Sequence, residues 1–475
     1  MKAANIFAKG VFVTLVISTA MGICNYLTRR YLACTLEPAQ FGILYSAINL
    51  FLLVAALADF GMNNAIMLRM AQLLAQKKKN NAWNLFLKIF LLKSISSIII
   101  CGIFILLSRY LCLYYYKYPA GIQVYKIICF YCISYQLLLF LMAVLNGLKY
   151  FIWMNLLNFS FYFTAMVGIF LVRGHNFFSI SCFYIGGGFI GIFIICALIL
   201  FRYRKFLGRD VKKCHTESIL ELLKLSKWFA LGNIAITAMN SIDILLLTHT
   251  MGVETAGIYN IAMSISLIIA PITLAANLIM PIIVSLWETK QMKEISSLFN
   301  IVLIFFSFMF WGGVIFFVSF SREIIVLLFT KRYVAAYGAL CILGPGALLN
   351  ALVFFFYGIL NGIGRVKKAN LLLMLGIPVD IIINLSLVPF VGMIGAAIGT
   401  VSGFILVNIL MFCAIKRVFP DIKIPKFYTT IGLSIAVVCG ILSSSTLYIR
   451  TIYFFIAAIV LFMLFCFTYF KKAIQ

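Results

Sequence analysis

The chain has 475 residues, of which 64% are hydrophobic and 11% are charged. This composition excludes a soluble globular protein, and successive apolar runs of about 20 residues are typical of a polytopic helical membrane protein. The net charge of +26 is compatible with nucleic-acid binding. Whether it indicates nucleic-acid binding or the orientation of the helices in the membrane depends on where the basic residues lie.

Fourteen transmembrane helices are predicted. The first apolar run follows Lys2 and Lys9, as in a signal peptide, but it continues to Leu27 and ends at Arg29 and Arg30, so we expect an uncleaved span. The predicted limits, in chain order, are 9–30, 41–60, 84–108, 122–146, 150–172, 179–201, 226–249, 257–283, 297–319, 336–362, 369–388, 394–415, 428–447 and 451–470.

The basic residues indicate how these helices are oriented. With both termini in the cytoplasm, lysines and arginines in cytoplasmic segments outnumber those outside by about three to one, as the positive-inside rule requires. The positive charge therefore indicates topology and contact with anionic lipid heads, and nucleic acid is not expected as a partner.

A weak internal repeat divides the chain. Asn25, Gly42, Ile43 and Ala47 recur with one constant offset as Asn240, Gly257, Ile258 and Ala262. Membrane proteins built from two such halves are usually transporters, with the substrate path between the halves. The predicted architecture is two pseudo-symmetric six-helix lobes around a central cavity, with two C-terminal helices. The predicted domain limits are 1–201 for the N-lobe, 202–225 for a basic cytoplasmic linker, 226–416 for the C-lobe and 417–475 for the C-terminal helices.

Metal and cofactor chemistry is not expected. The CxxC motif at Cys129 and Cys132 lies inside an apolar span, without the further ligands that a zinc site needs. The glycines at 186–188 lie within a span and favour close helix packing over nucleotide binding. The tyrosines are expected to face lipid or the core, with those at 114–116 in an outer aromatic belt.

Three stretches of the chain match one family's sequence pattern. In the first, Arg29–Gln72, the matching positions are Arg30, Phe41, Gly42, Gly61 and Arg69. In the second, Ser241–Ile265, they are Asp243, Gly252, Gly257, Tyr259 and Ala262. The third runs from LLFTKRYVAAYGALCIL through NGIGRVKKAN to LVPFVGMIGAAIGT, and its matching positions are Tyr333, Leu340, Gly364, Arg365, Gly392, Gly395, Ala396 and Ala397. With these residues the chain resembles the polysaccharide flippases of the multidrug/oligosaccharidyl-lipid/polysaccharide (MOP) exporter superfamily. It departs from the family pattern at Ala33, at Thr330 and in the turn at 37–40.

The resemblance implies twelve or fourteen helices in two lobes and a cavity that opens to one side of the membrane at a time. It implies a non-enzymatic flippase that moves a lipid-pyrophosphate-linked oligosaccharide to the outer leaflet of a bacterial cytoplasmic membrane. The product would serve O-antigen, capsule or exopolysaccharide assembly. The implied partners are this substrate, membrane lipids and other polysaccharide-assembly proteins.

Charged residues within a membrane are costly and are therefore candidates for function. Arg30 matches the family position, and Arg30 and Arg29 are predicted to contact the pyrophosphate; the alternative is that both extend to the outer interface. Lys93, well inside helix three, is predicted to line the cavity and, with Arg30, to neutralise the pyrophosphate. Asn240 and Asp243 are carried over from the family pattern as substrate-site residues, and Asp243 is expected to pair with a cation across the lobe interface.

Of the remaining acids, Asp380 is a candidate for ion coupling. Asp380 lies near mid-membrane shortly after Pro378, and Asn384 is one helical turn further on. These two residues are the candidates for binding a coupling H⁺ or Na⁺, and the alternative is a structural pair with a nearby polar group. Asp59 is expected to pair with Arg69 or to serve a helix end.

Two other functions fit the sequence less well. A small-molecule exporter of the same superfamily would not need paired basic residues near the cavity. A membrane enzyme that polymerises or ligates oligosaccharides would need a sizeable external loop with catalytic Arg, Glu or His, and every predicted external loop is short.

Overall fold

The computed structural model describes residues 2–76, 79–148, 150–172, 176–203, 219–267 and 279–422. Within these ranges the regular structure is entirely helical, as the composition predicted. The α-helices are α1 (Lys2–Thr35), α2 (Pro38–Asp59), α3 (Met62–Ala75), α4 (Lys79–Tyr110), α5 (Ile122–Gly147), α6 (Phe151–Leu171), α7 (Phe177–Tyr203), α8 (Ile219–Met239), α9 (Ile242–Met251), α10 (Val253–Ser266), α11 (Ile279–Glu288), α12 (Met292–Leu328), α13 (Tyr337–Gly362), α14 (Val366–Met374), α15 (Gly376–Val391) and α16 (Met393–Lys416).

In the described part of the chain, nine helical segments are long and apolar enough to cross a membrane. A tenth is formed if α8 and α9, which meet at a bend of 41°, are counted as one broken span. The protein is therefore an all-α, multi-pass membrane protein. The predicted spans 428–447 and 451–470 and most of the predicted linker lie outside the described residues.

Helix α3 occupies a stretch that the hydropathy pattern assigned to a loop. It begins after Phe60 and Gly61, whose positive φ angles of 47° and 70° turn the chain sharply at the end of α2. One face of α3, including Ile66, packs against Ile89 of α4 and Phe140 of α5 in a buried apolar cluster. The helix was missed because it is short and only one face is apolar.

Two other spans differ in form from the prediction. The predicted helix 226–249 is broken at Asn240 and Ser241 into α8 and α9. The predicted helix 369–388 is interrupted at Leu375, so Pro378 falls in the first turn of α15, where its missing N–H breaks no helical bond. Helices α5, α6, α13 and α16 begin and end within a residue or so of their predicted limits.

The chain divides into two compact units, residues 1–257 and 258–475. In the first unit α6 packs along α7 and α1, and α5 contacts α2, α4 and α7. In the second unit α13 packs against α12 and α16, and α15 packs along α16. The lobe limits predicted from the repeat remain a prediction.

Candidate functional site

Two glycines of the repeat lie against each other in the first unit. A Cβ on Gly42 of α2 would overlap the backbone carbonyl of Val253, and a Cβ on Gly257 would lie 2.5 Å from the carbonyl oxygen of Pro38. The chain at 253–257, where α10 begins, therefore approaches α2 so closely that only glycine fits at these positions. Gly42 and Gly257, which match in the internal repeat, thus meet at one contact within the first unit.

Polar groups continue this packing along α9. The Ser46 and Thr248 hydroxyls lie 2.8 Å apart in a buried hydrogen bond between α2 and α9. The Tyr115 hydroxyl donates to the Leu245 carbonyl at 2.7 Å, and Tyr116 is fully buried. Of the three tyrosines predicted for an aromatic belt, Tyr114 is exposed, Tyr115 is half-buried and Tyr116 is buried.

The adjacent arginines at the end of α1 have different surroundings. Arg29 is half-buried, its Nε donates to Asn25 Oδ1 at 3.3 Å, and its guanidinium lies 4.7 Å from the centre of the Tyr45 ring. Arg30 is exposed, and its Nη1 donates to the Tyr26 hydroxyl at 3.3 Å. The structure therefore places Arg29 among aromatic side chains and Arg30 on the surface, although only Arg30 matches the family pattern.

Lys93 is held by a buried ion pair. Its ammonium contacts the carboxylate of Asp59, and the two residues are 4% and 5% exposed. This pair joins α4 to α2 and takes the place of the predicted Asp59–Arg69 pair. A phosphate could use the charge of Lys93 only by displacing Asp59.

Asn240 and Asp243 lie at the break between α8 and α9. The Asn240 side-chain amide donates to the Ile236 carbonyl at 2.6 Å. Asp243 is fully buried in the first turn of α9, where its Oδ1 accepts a hydrogen bond from the Ile244 N–H at 2.8 Å. A carboxylate at a helix N-terminus is favoured by the helix dipole, so Asp243 stabilises the start of α9.

Asp380 and Asn384 lie side by side on α15, and both are fully buried. The Asn384 amide donates to the Asp380 carboxylate at 2.7 Å and to the Asp380 carbonyl at 2.9 Å. The Asn384 side-chain oxygen has no hydrogen-bond partner, and a Cβ on Gly399 of α16 would collide with the amide. Carboxylate and amide oxygens are thus gathered in one buried place in the second unit.

The cysteine and glycine motifs serve packing. Cys129 and Cys132 are buried, and the thiol of Cys129 lies 3.2 Å from the Tyr125 carbonyl. A Cβ on Gly187 would lie 2.6 Å from backbone atoms of Thr164 and Ala165, which confirms close packing of α7 on α6. Among the described residues, no three His, Cys, Asp or Glu side chains are grouped to hold a metal ion.

Comparison with solved structures shows the fold. The chain is similar to the lipid II flippase MurJ in an inward closed conformation, with a TM-score of 0.69, 14% identity and coverage of 99% of this chain and 100% of that one. It is also similar to an inward-facing multidrug resistance MATE transporter of the MOP superfamily, with a TM-score of 0.68, 14% identity and coverage of 86% and 98%.

Comparison of sequences shows the family. An uncharacterized membrane protein of Methanocaldococcus jannaschii is 22% identical over 413 residues, which is 82% of this chain and 80% of that protein. The family model described as polysaccharide biosynthesis protein matches residues 7–287, more than half of the chain. With its MOP-type helical fold, the chain therefore belongs to the polysaccharide biosynthesis protein family.

Proposed function

We propose that this protein is a flippase that moves a lipid-pyrophosphate-linked oligosaccharide from the cytoplasmic to the outer leaflet by alternating access. The observation that carries the proposal is a polysaccharide biosynthesis family sequence on a fold shared with a lipid II flippase. Translocation makes and breaks no covalent bond, so we propose no enzymatic step. The product would supply O-antigen, capsule or exopolysaccharide assembly.

The substrate's anionic head must be separated from hydrocarbon as it crosses. Arg29 and Arg30 provide the cationic groups, because a guanidinium can bind a phosphate through two parallel hydrogen bonds. The half-buried position of Arg29 strengthens its interaction with an anion, since fewer water molecules screen the charge. Asn240 lies at the 41° bend between α8 and α9, where a change in the bend would move it relative to the substrate.

Resetting the empty transporter needs a driving force. A transmembrane gradient of H⁺ or Na⁺ would provide it, with the cation bound at Asp380 and Asn384, since the carboxylate and the unpartnered amide oxygen suit a small cation. The membrane potential is an alternative source, worth about 2.3 kcal/mol per charge per 100 mV. No other cofactor is proposed.

The proposed setting is a bacterial cytoplasmic membrane with both termini in the cytoplasm. The positive-inside bias of the sequence supports this orientation. The membrane partners would be the lipid-linked oligosaccharide, anionic lipids near the basic cytoplasmic segments, and other proteins of polysaccharide assembly.

Gene deletion in the host tests the proposal. Lipid-linked oligosaccharides would be extracted and analysed by mass spectrometry, with surface polysaccharide measured in parallel. A flippase predicts build-up of a completed repeat unit and loss of surface polysaccharide, both reversed by the wild-type gene and by Arg322→Ala. This control removes an exposed basic residue of α12. Unchanged lipid-linked sugars after deletion would refute the proposal.

The MATE-like fold favours a second candidate, export of small molecules. The same deletion strain separates the two functions. An exporter predicts unchanged surface polysaccharide and new sensitivity to toxic compounds, whereas a flippase predicts the lipid-linked intermediate.

A further inference from the structure

Tyrosine side chains from four helices of the first unit lie in one neighbourhood, and three of them lie near Arg29. The sequence predicts that these tyrosines face lipid or the core, but in the structure their side chains lie close together. This tyrosine cluster comprises Tyr45 of α2, Tyr131 and Tyr135 of α5, Tyr162 of α6 and Tyr184 of α7.

Three rings of the cluster form one aromatic stack. Tyr131 stacks on Tyr135 with ring centres 5.6 Å apart, and on Tyr184 with ring centres 6.1 Å apart. The planes are nearly parallel in both pairs, at 14° and 7°. The Arg29 guanidinium lies over the Tyr45 ring, 4.7 Å from the ring centre. A stack of three rings, of which Tyr135 is half-buried, and a cation over a fourth ring thus lie within one helical unit.

The polar ends of these residues lie near enough to one another for electrostatic interaction. Arg29 lies close enough to Tyr45, Tyr162 and Tyr184 for its charge to act on their hydroxyls. The Tyr45 side chain is 3% exposed, and its buried hydroxyl has no hydrogen-bond partner. A buried hydroxyl without a partner costs free energy, so a ligand group that paired with it would be bound more tightly.

The cluster and Arg29 are spread over about 10 Å of membrane depth, measured from one face. Successive spans run in opposite directions, so α1 and α6 end at the face where α2, α5 and α7 begin. Arg29 and the tyrosine cluster lie roughly 10–20 Å from that face, at about 1.5 Å per residue. Arg29, Tyr135 and Tyr162 are half-buried rather than sealed, so a head group could reach them.

From this geometry we infer a binding site for a sugar phosphate, formed by Arg29 and the tyrosine cluster. The inference rests on the proposed flippase function and assigns its head-group contacts. A guanidinium binds phosphate oxygens, tyrosine rings pack against the apolar C–H face of a pyranose, and tyrosine hydroxyls bond its hydroxyl groups. Arg29, rather than the exposed Arg30, supplies the main phosphate contact.

The test uses the full-length protein in proteoliposomes, with the lipid-linked sugar extracted from the deletion host as the probe. Tyr45→Phe and Tyr162→Phe remove one hydroxyl each and leave the ring packing in place. We expect each to raise the KM for flipping about five- to tenfold with little change in the maximal rate, as the loss of one hydrogen bond predicts. Tyr110→Phe, at an exposed tyrosine of α4, is the matched control.

Tyr135→Ala extends the test to the ring surface and should raise the KM at least tenfold. A purely structural role would lower the maximal rate or the amount of folded protein, with the KM unchanged, and that result would overturn the site. Wild-type KM values in all three variants, beside an active wild-type protein, would also overturn the site and leave the flippase function standing. A wild-type protein that does not flip the probe would instead refute the proposed function.

Discussion

The buried pair of Lys93 and Asp59 yields a quantitative prediction. Lys93→Ala leaves the Asp59 carboxylate uncompensated in a site where both side chains are almost fully buried. Breaking such a pair costs about 3–5 kcal/mol, because one charge stays buried without its partner. The unfolding equilibrium should therefore shift by a factor of about 10² to 10³ or more.

Replacing both partners separates stability from transport. In the double variant Lys93→Met/Asp59→Leu no charge is left buried, so the free energy of unfolding should return close to the wild-type value. The assay is a detergent-to-SDS unfolding titration, combined with the flipping rate in proteoliposomes. Lys126→Ala, which removes an exposed lysine of α5, is the control.

The transport rate decides what Lys93 does. If Lys93 only holds α4 to α2, the double variant should flip substrate at nearly the wild-type rate. If Lys93 binds the pyrophosphate, as the sequence suggested, the double variant should be stable but inactive. A Lys93→Ala protein as stable as the control would refute the reasoning about the buried charge.

Further predictions concern helix packing, charge and coupling. Gly257→Ala should destabilise the protein by about 1–3 kcal/mol or more in the same titration, because its Cβ would meet the Pro38 backbone, whereas Gly102→Ala, with open space around it, should not. Arg29→Gln should raise the KM for flipping more than Arg30→Gln does; equal effects would contradict the assignment. If Asp380 binds the coupling cation, Asp380→Asn should abolish the dependence of flipping on an imposed Na⁺ or H⁺ gradient, and a retained gradient dependence would exclude it.

The amino-acid sequence by itself determined the fold class and most of the spans. Apolar runs of membrane length must form helices, because the bilayer offers no partners for backbone polar groups, and this requirement acts on each segment locally. The limits of α5 and α13 could therefore be predicted closely. Helix α3 could not, because a short helix with a single apolar face is stabilised by its packing on α4 and α5 rather than by its own hydropathy.

The partners of the polar side chains were decided only by the tertiary structure. Lys93 and Asp59 are 34 positions apart, and Ser46 and Thr248 are 202 apart, so no local pattern relates them. The tyrosine cluster was hidden for the same reason, since its members come from four helices and look like ordinary membrane aromatics one at a time. Hydropathy and charge counts are sums over a segment of the chain. A binding site depends instead on which helix faces meet. Those faces are set by close contacts such as that of Gly42 with Gly257.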